Sequence, residues 1–319
     1  MVDISKPLTS NKVQSYYRSE YSAASNSYYS GGGELRGEWH GRIAEPFSLS
    51  GEVTAEAFDR LAEGQHPATG EQLIKHRDTI KTQAGEELGH RAGWDLTFNA
   101  PKTVSLTALV GEDERVRLAH QQAVKTALDA TEKYVQARMG GMNAPENTGK
   151  WISATFEHSN ARPVDGYAAP HLHTHVVVFN MTEGATGQAR SLQPHELFKV
   201  QSFATAVYQN QLEHDLRALG YSIQRGANHA PDIKGYSAEY LAAESAGTAQ
   251  IKAAMEEKGL TGREAESVIK HQVREDKRNM TPEELKAANR LSAEAFGNQP
   301  QTVVAEAREQ RRREMSPER

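Results

Sequence analysis

"PHLHTHVVVFN", residues 170–180, sets three histidines at alternate positions and then runs into an apolar stretch. In a strand, residues i, i+2 and i+4 point to one side, so His171, His173 and His175 are expected on a common face. Val176, Val177, Val178 and Phe179 follow, apolar on both faces, which predicts a central strand. Imidazoles at such a place need a hydrogen-bond partner or a ligand. One histidine would pass as an ordinary strand-edge residue, but three with a period of two point to a metal, for which neutral imidazole is the commonest ligand.

Working outward, "WISATFEH" (151–158) alternates as a second strand and brings His158 to its end. If the two strands are neighbours, His158 meets the trio across the ladder. Three imidazoles leave coordination positions open, the layout of a catalytic rather than a closed structural site. Two other metal patterns fail. There is no HExxH, and the next acid after the histidines, Glu183, lies too far on for a cupin-like arrangement. "ENTGKW" lacks the earlier glycine and the following Ser or Thr of a phosphate-binding loop.

Further upstream, "WDLTF" (94–98) places Trp94, Leu96 and Phe98 on one face and Asp95 and Thr97 on the other. After the turn "NAPK", "TVSLTALV" reads as a second strand, its hairpin partner. Residues 113 to about 139 read as a helix, with Val116, Ala119, Ala123, Ala127, Ala130 and Tyr134 recurring at helical spacing. A long helix is expected from Pro194, with Leu197, Val200, Ala204 and Val207 on one face, stopped at Gly220 before a short strand. Beyond about 235 the chain turns helical and charged, and "MTPEEL" offers Thr281 as N-cap, Pro282 at the first helical position and Glu284 in the capping-box position. The sum is an α+β fold: a mostly antiparallel β-sheet flanked by long helices, with a helical C-terminal part.

The bulk composition of the 319 residues agrees with a soluble globular chain, 37% apolar and 25% charged. No stretch approaches the roughly 20 apolar residues of a membrane span, so no membrane insertion is expected, and the N-terminus has no signal-peptide character. The absence of cysteine removes disulfides, thiolate metal sites and cysteine nucleophiles together. A net charge of −5 gives no overall basic footprint for nucleic acid, although local patches are not fixed by the total. The basic run "REQRRREMSPER" reads as a solvated tail.

The N-terminal segment "SYYRSEYSAASNSYYSGGGE" carries Tyr16, Tyr17, Tyr21, Tyr28 and Tyr29, five of the chain's 11 tyrosines, in a polar context that does not read as core. A tyrosine hydroxyl attacks only as phenolate, about one part in a thousand at pH 7, so it needs a base or a metal-polarised substrate. A histidine-bound cation meets that need on a phosphodiester.

Taken together, the paired tyrosines, "GWDLTFNAPKTVSL" (93–106) and "FEHSNARPVDGYAAPHLHTHVVVFN" (156–180) resemble the relaxase domain of conjugative plasmid relaxases of the MobF class (the TrwC/TraI type), within the HUH endonucleases. The resemblance covers nearly the whole chain. It implies a metal-dependent, site- and strand-specific DNA transesterase that cuts one strand at a plasmid transfer origin through a 5′-phosphotyrosine link. It implies His158, His173 and His175 as the metal triad, Tyr16 for the first cut, Tyr28 for a second strand transfer, and Tyr17 and Tyr29 as their neighbours. Asp95 would orient a ligand histidine or help take the tyrosine proton, against the alternative of an ordinary polar face residue. Lys102 is open equally to a phosphate contact and to a surface lysine. One divalent ion is implied, Mg²⁺ or Mn²⁺ foremost, with Zn²⁺ or another open.

The implied partners are single-stranded DNA with the origin-of-transfer hairpin, secretion and coupling machinery of the type IV kind, and accessory DNA-binding proteins. The implied place is the bacterial cytoplasm, with transfer to the recipient attached to DNA. The expected organisation is a catalytic core over 1–235, a helical part over 236–300 covering the DNA groove, and a basic tail over 301–319. Members of the family continue into a helicase; with no Walker motif in these residues, a trimmed fragment or a short form is expected. The alternatives are a non-cutting hairpin-binding module and a rolling-circle replication initiator of the same superfamily. Three departures stand out: a longer segment between His158 and His173, the extra His171 where Gln is common, and widely spaced tyrosine pairs.

Overall fold

A computed structural model describes residues 1–16, 37–75, 80–81, 87–88, 90–140, 142–262, 269 and 281–315. Its first part runs β1 (Val2–Ile4), β2 (Leu8–Thr9), α1 (Ser10–Tyr16), β3 (Glu38–His40), α2 (Ala55–Ala62), the small ladder β4 (Ile80–Lys81) and β5 (Glu87–Leu88), and β6 (Arg91–Asn99). Then come α3 (Lys102–Leu109), α4 (Glu114–Glu132), the ladder β7 (Gln136–Ala137) and β8 (Glu146–Asn147), β9 (Ser153–Asn160) and β10 (Pro170–Phe179). The rest is the ladder β11 (Thr182–Glu183) and β12 (Ala189–Arg190), α5 (Pro194–Lys199), α6 (Gln201–Ala218), the ladder β13 (Ile223–Arg225) and β14 (Pro231–Ile233), α7 (Ala238–Ala243), α8 (Ala246–Glu257), α9 (Pro282–Ala295) and α10 (Gln299–Met315).

The main sheet has the order β1-β6-β10-β9-β3, with β2 also on β6, and every pairing in it is antiparallel. The histidine strand β10 is therefore central, as its two-sided apolar run predicts. The back of the sheet carries Trp94, Leu96, Phe98, Leu172, Val176 and Val178 into one core with α3, α4 and α6. The front carries Phe156, Val177 and Phe179 against Phe58 and Leu61 of α2 and Val13 of α1. Gly93 is required where β6 crosses β10: a Cβ there would collide with the Val178 carbonyl oxygen. The expected α+β architecture and the capping box at Thr281 and Glu284 are both present.

Four local readings are corrected. "TVSLTALV" is not a strand but lies in α3, whose residues Thr103–Leu109 are all buried. A helix buried all round loses the 3.6-residue stripe, and its β-branched content then mimics a strand. Two of its hydroxyls bond back along the chain, Ser105 Oγ donating to Pro101 O (3.1 Å) and Thr107 Oγ1 to Thr103 O (2.8 Å), while Thr103 Oγ1 donates to Asp232. Strand β6 pairs instead with β1, β2 and β10. The helix expected to reach 139 stops at Glu132, whose buried carboxylate accepts from the backbone N–H of Arg42 (2.7 Å) and Trp151 (2.9 Å); Tyr134 is exposed. The helix expected from Pro194 is two helices broken at Val200. Finally, much of the expected basic tail is α10, which buries Val303, Val304 and Ala307. Among the described residues no helix is long and apolar enough to cross a membrane.

Candidate metal centre and its surroundings

The register of three strands assembles the site. His173 stands opposite His158 on β9 and Asn99 on β6, and His175 stands opposite Thr97. Asp95 is the partner of Val177, one diagonal step from His175. The rings of His158, His173 and His175 form a near-equilateral triangle, with centroids 5.2 Å (158–173), 5.1 Å (158–175) and 5.2 Å (173–175) apart. Among the described residues no three His, Asp or Glu side chains are already closed on one point so as to hold a metal ion. The fit of the triangle to a cation therefore rests on the chemistry of its donors.

That chemistry is specific. His173 Nδ1 lies 2.9 Å from the His171 carbonyl oxygen, which can only accept, so Nδ1 carries the proton and Nε2 the lone pair. His175 Nδ1 lies 2.7 Å from Asp95 Oδ2, and an ionised carboxylate imposes the same tautomer. A backbone carbonyl or carboxylate on the far nitrogen is the usual second layer of a metal-binding histidine, fixing ring orientation and raising basicity. Asp95 Oδ1 is buried and has no hydrogen-bond partner among the described residues, which leaves a proton acceptor beside the triad. His171 differs. Its ring stacks on His173 at 4.6 Å, but its Nε2 is 3.1 Å from Asn99 Oδ1. The arrangement thus favours His173 and His175 over His171 as the ligand pair on β10.

Lys102 begins α3, and its ammonium donates to the Pro170 carbonyl at 2.8 Å, at the first residue of β10. Burial pushes its pKa down to about 8, partly offset by the carboxylate of Glu244. This partly buried lysine braces the start of the histidine strand. Tyr16 ends α1, and its side chain lies outside the described residues, as do Tyr17, Tyr28 and Tyr29.

Sequence reasoning missed two features. The segment between the ligand strands is a tight hairpin: Val164 and Tyr167 exchange both backbone hydrogen bonds, and Asp165 (φ 52°) and Gly166 (φ 81°) make the two-residue turn. "VDGY" carried that turn signal. The hairpin delivers the Tyr167 hydroxyl to Glu244, which accepts it at 3.0 Å, and to within 2.9 Å of the Asn289 side chain. The approach to the triad is thereby tied to the C-terminal helices. The second feature lies behind the sheet, where His120 of α4 is fully buried against Thr174 and Tyr208. Its pKa is lowered to about 3, by burial first and then by His173, the Met1 amine and Arg117. The signal was a histidine inside the apolar stripe of Val116, Ala119, Ala123 and Ala127.

Three clustered histidines, one of them bonded to a carboxylate, thus stand on the front of the antiparallel sheet where β9 and β10 pair. The family model "TrwC relaxase" matches residues 10–296. The chain is 32% identical over 241 residues to the multifunctional conjugation protein TraI of Escherichia coli K12, covering 72% of this chain and 13% of that protein. A second E. coli TraI is 34% identical over 209 residues, 62% of this chain and 11% of that protein. The chain thus spans only a small part of the curated relatives it matches. Among solved structures, conjugative relaxase TrwC in complex with oriT DNA, in a metal-bound form, superposes with a TM-score of 0.79 at 32% identity, covering 93% of this chain and 99% of that one. TrwC complexed with a 27-mer comprising the recognition hairpin and the cleavage site gives a TM-score of 0.75 at 30% identity, with the same coverage. The chain belongs to the TrwC relaxase family.

Proposed function

We propose that this chain is a metal-dependent DNA strand transferase that cuts one strand at a plasmid transfer origin and so initiates conjugative transfer. The observation that carries the reading is the pair of second-layer contacts, His171 O on His173 and Asp95 on His175, which present two Nε2 lone pairs on the central strand beside His158. A divalent cation held by His158, His173 and His175, Mg²⁺ or Mn²⁺ foremost, supplies charge stabilisation to a bound phosphodiester.

The remaining roles fall to the chain itself. The hydroxyl of Tyr16 attacks phosphorus: an O–P bond to tyrosine forms, the P–O3′ bond breaks, and the 3′ oxygen leaves to take up a proton. In this reading Asp95 Oδ1 accepts the tyrosine proton, while Oδ2 holds His175. The product is a 5′-phosphotyrosine, itself a phosphodiester, so the step reverses on attack by a 3′ hydroxyl. Tyr28 serves a second transfer, with Tyr17 and Tyr29 beside the two nucleophiles. Residues 1–235 act as the catalytic core, and the helices from 236 onward cover a groove that takes a DNA hairpin and the adjoining single strand. The same reading places the chain in the donor cytoplasm, handed to secretion and coupling machinery with accessory DNA-binding proteins, and carried to the recipient on the DNA.

The test is cleavage of labelled single strands bearing the cognate origin, with Mn²⁺. Chelator should stop cutting and spare much of the binding, and Tyr16→Phe should do the same. Normal cutting by Tyr16→Phe would move the first cut to another tyrosine. Tight, chelator-insensitive binding without cutting by the unaltered chain would replace the enzyme with a binding module.

A further inference from the structure

We propose that Arg117, His120 and Gln121 of α4 form a polar clamp that positions the metal triad from the opposite face of the sheet. The inference rests on the triad being the metal site and deepens that reading. The three residues are spaced i, i+3 and i+4 and so share one helix face. They grip two strand residues that are register partners, Thr174 on β10 and Glu157 on β9. Thr174 lies between His173 and His175, and Glu157 directly precedes His158, so each gripped residue is a chain neighbour of a triad member.

The contacts are directional. His120 Nε2 lies 2.9 Å from Thr174 Oγ1, and His120 Nδ1 lies 2.8 Å from the Tyr208 hydroxyl on α6. Glu157 accepts from Arg117 Nε, and from Gln121 Nε2 at 2.8 Å. His120 and Thr174 are buried polar groups beside the apolar core of the helical layer, whereas Arg117 and Glu157 are partly exposed and Gln121 is exposed at its edge. Apolar side chains would fill the same volume without the desolvation cost of buried polar groups. Hydrogen bonds supply something packing does not, a fixed register and strand height. A slip of one residue on β10 would carry the histidines to the back of the sheet. A smaller tilt would open the triangle of rings. The clamp opposes both at the two residues where the site is most sensitive to them. Arg117, His120 and Gln121 are positioning residues, since they act on the triad through Thr174 and Glu157.

The test uses the whole chain and Co²⁺ as the probe, read by affinity and by its visible ligand-field spectrum, with thermal melting alongside. Thr174→Val removes the hydroxyl and keeps the shape. It should weaken Co²⁺ binding by about tenfold, the order found for outer-layer partners of metal ligands, and change the spectrum. Thr174→Ser should restore both. A Thr174→Val chain that melts cooperatively and keeps wild-type affinity and spectrum overturns the clamp, even with a lower Tm. Glu157→Gln, which keeps size and hydrogen-bonding capacity but loses the charge facing Arg117, gives the same comparison should Thr174→Val not fold. Failure of the underlying reading looks different: no Co²⁺ binding by the wild type, or equal binding by His173→Ala, overturns the triad and the clamp with it.

Discussion

On β10 the even-numbered side chains enter the helical layer and the odd-numbered ones face the front of the sheet, and both rows contain polar groups. Behind the sheet, Thr174 is 5% exposed and meets His120, which in turn meets Tyr208. Protein groups complete that chain from both ends. In front, His173 and His175 are partly exposed, and a backbone carbonyl and a carboxylate fix the proton of each on Nδ1, which puts the lone pair on Nε2. Behind the strand, then, the His120 imidazole of α4, bonded by the protein on both nitrogens, marks structure. In front, an acceptor on each Nδ1 orients the ring toward a ligand.

The comparison breaks most visibly at a ligand. His173→Ala should reduce divalent-metal affinity by more than the roughly 10–100-fold expected for an outer-layer change, with little effect on the fold, as isothermal titration and a melt together would report. Undiminished affinity would remove the front face's special status. Next, Asp95→Asn should weaken metal binding by about 10–100-fold by disturbing the tautomer and basicity of His175, with the secondary structure by circular dichroism unchanged; an affinity equal to wild type would reduce Asp95 to a polar face residue.

The back face responds to protons instead. His120 is held neutral in the folded state, with a pKa lowered from the ordinary 6.5 to about 3. The unfolded chain therefore binds the extra proton between those values. This contribution to stability is full above about pH 6.5 and is lost as pH falls toward 3, by up to about 1.4 kcal/mol per pH unit. Urea midpoints at pH 7 and pH 5 should differ more for wild type than for His120→Gln; equal differences would remove His120 as a source. The smallest effect is expected at the edge of the front row. His171→Gln should cost about 1 kcal/mol or less, the scale of one hydrogen bond, and leave metal affinity unchanged, because His171 already faces Asn99. A large affinity loss would instead make His171 a ligand.

The front row was legible because strand periodicity reports directly which way a side chain points. Alternation alone put His171, His173 and His175 together, and Asp95 on the polar side of β6. The pairing of His158 with His173 followed from placing two alternating segments side by side. Periodicity does not report what lies opposite on another element. Lys102 reaching the Pro170 carbonyl, Tyr167 reaching Glu244, and His120 reaching Thr174 all join residues more than 50 positions apart, and no local pattern encodes such a meeting. α3 was misread for the opposite reason: buried on every side, it has no polar face to set its period. The tail after 301 was misread because its charges lie on the outer side of a helix whose buried side is only Pro300, Val303, Val304 and Ala307.

The central claim is that the prepared front face serves a tyrosine transferring a DNA strand. The most direct measurement mixes the chain with Mn²⁺ and labelled single strands tiling the DNA beside its gene. Any labelled protein that survives SDS is then mapped by mass spectrometry. The account predicts an adduct on Tyr16 or Tyr28 that needs the metal and is lost in His173→Ala. Specific binding to one strand with metal present, and no adduct on any tyrosine, would contradict it.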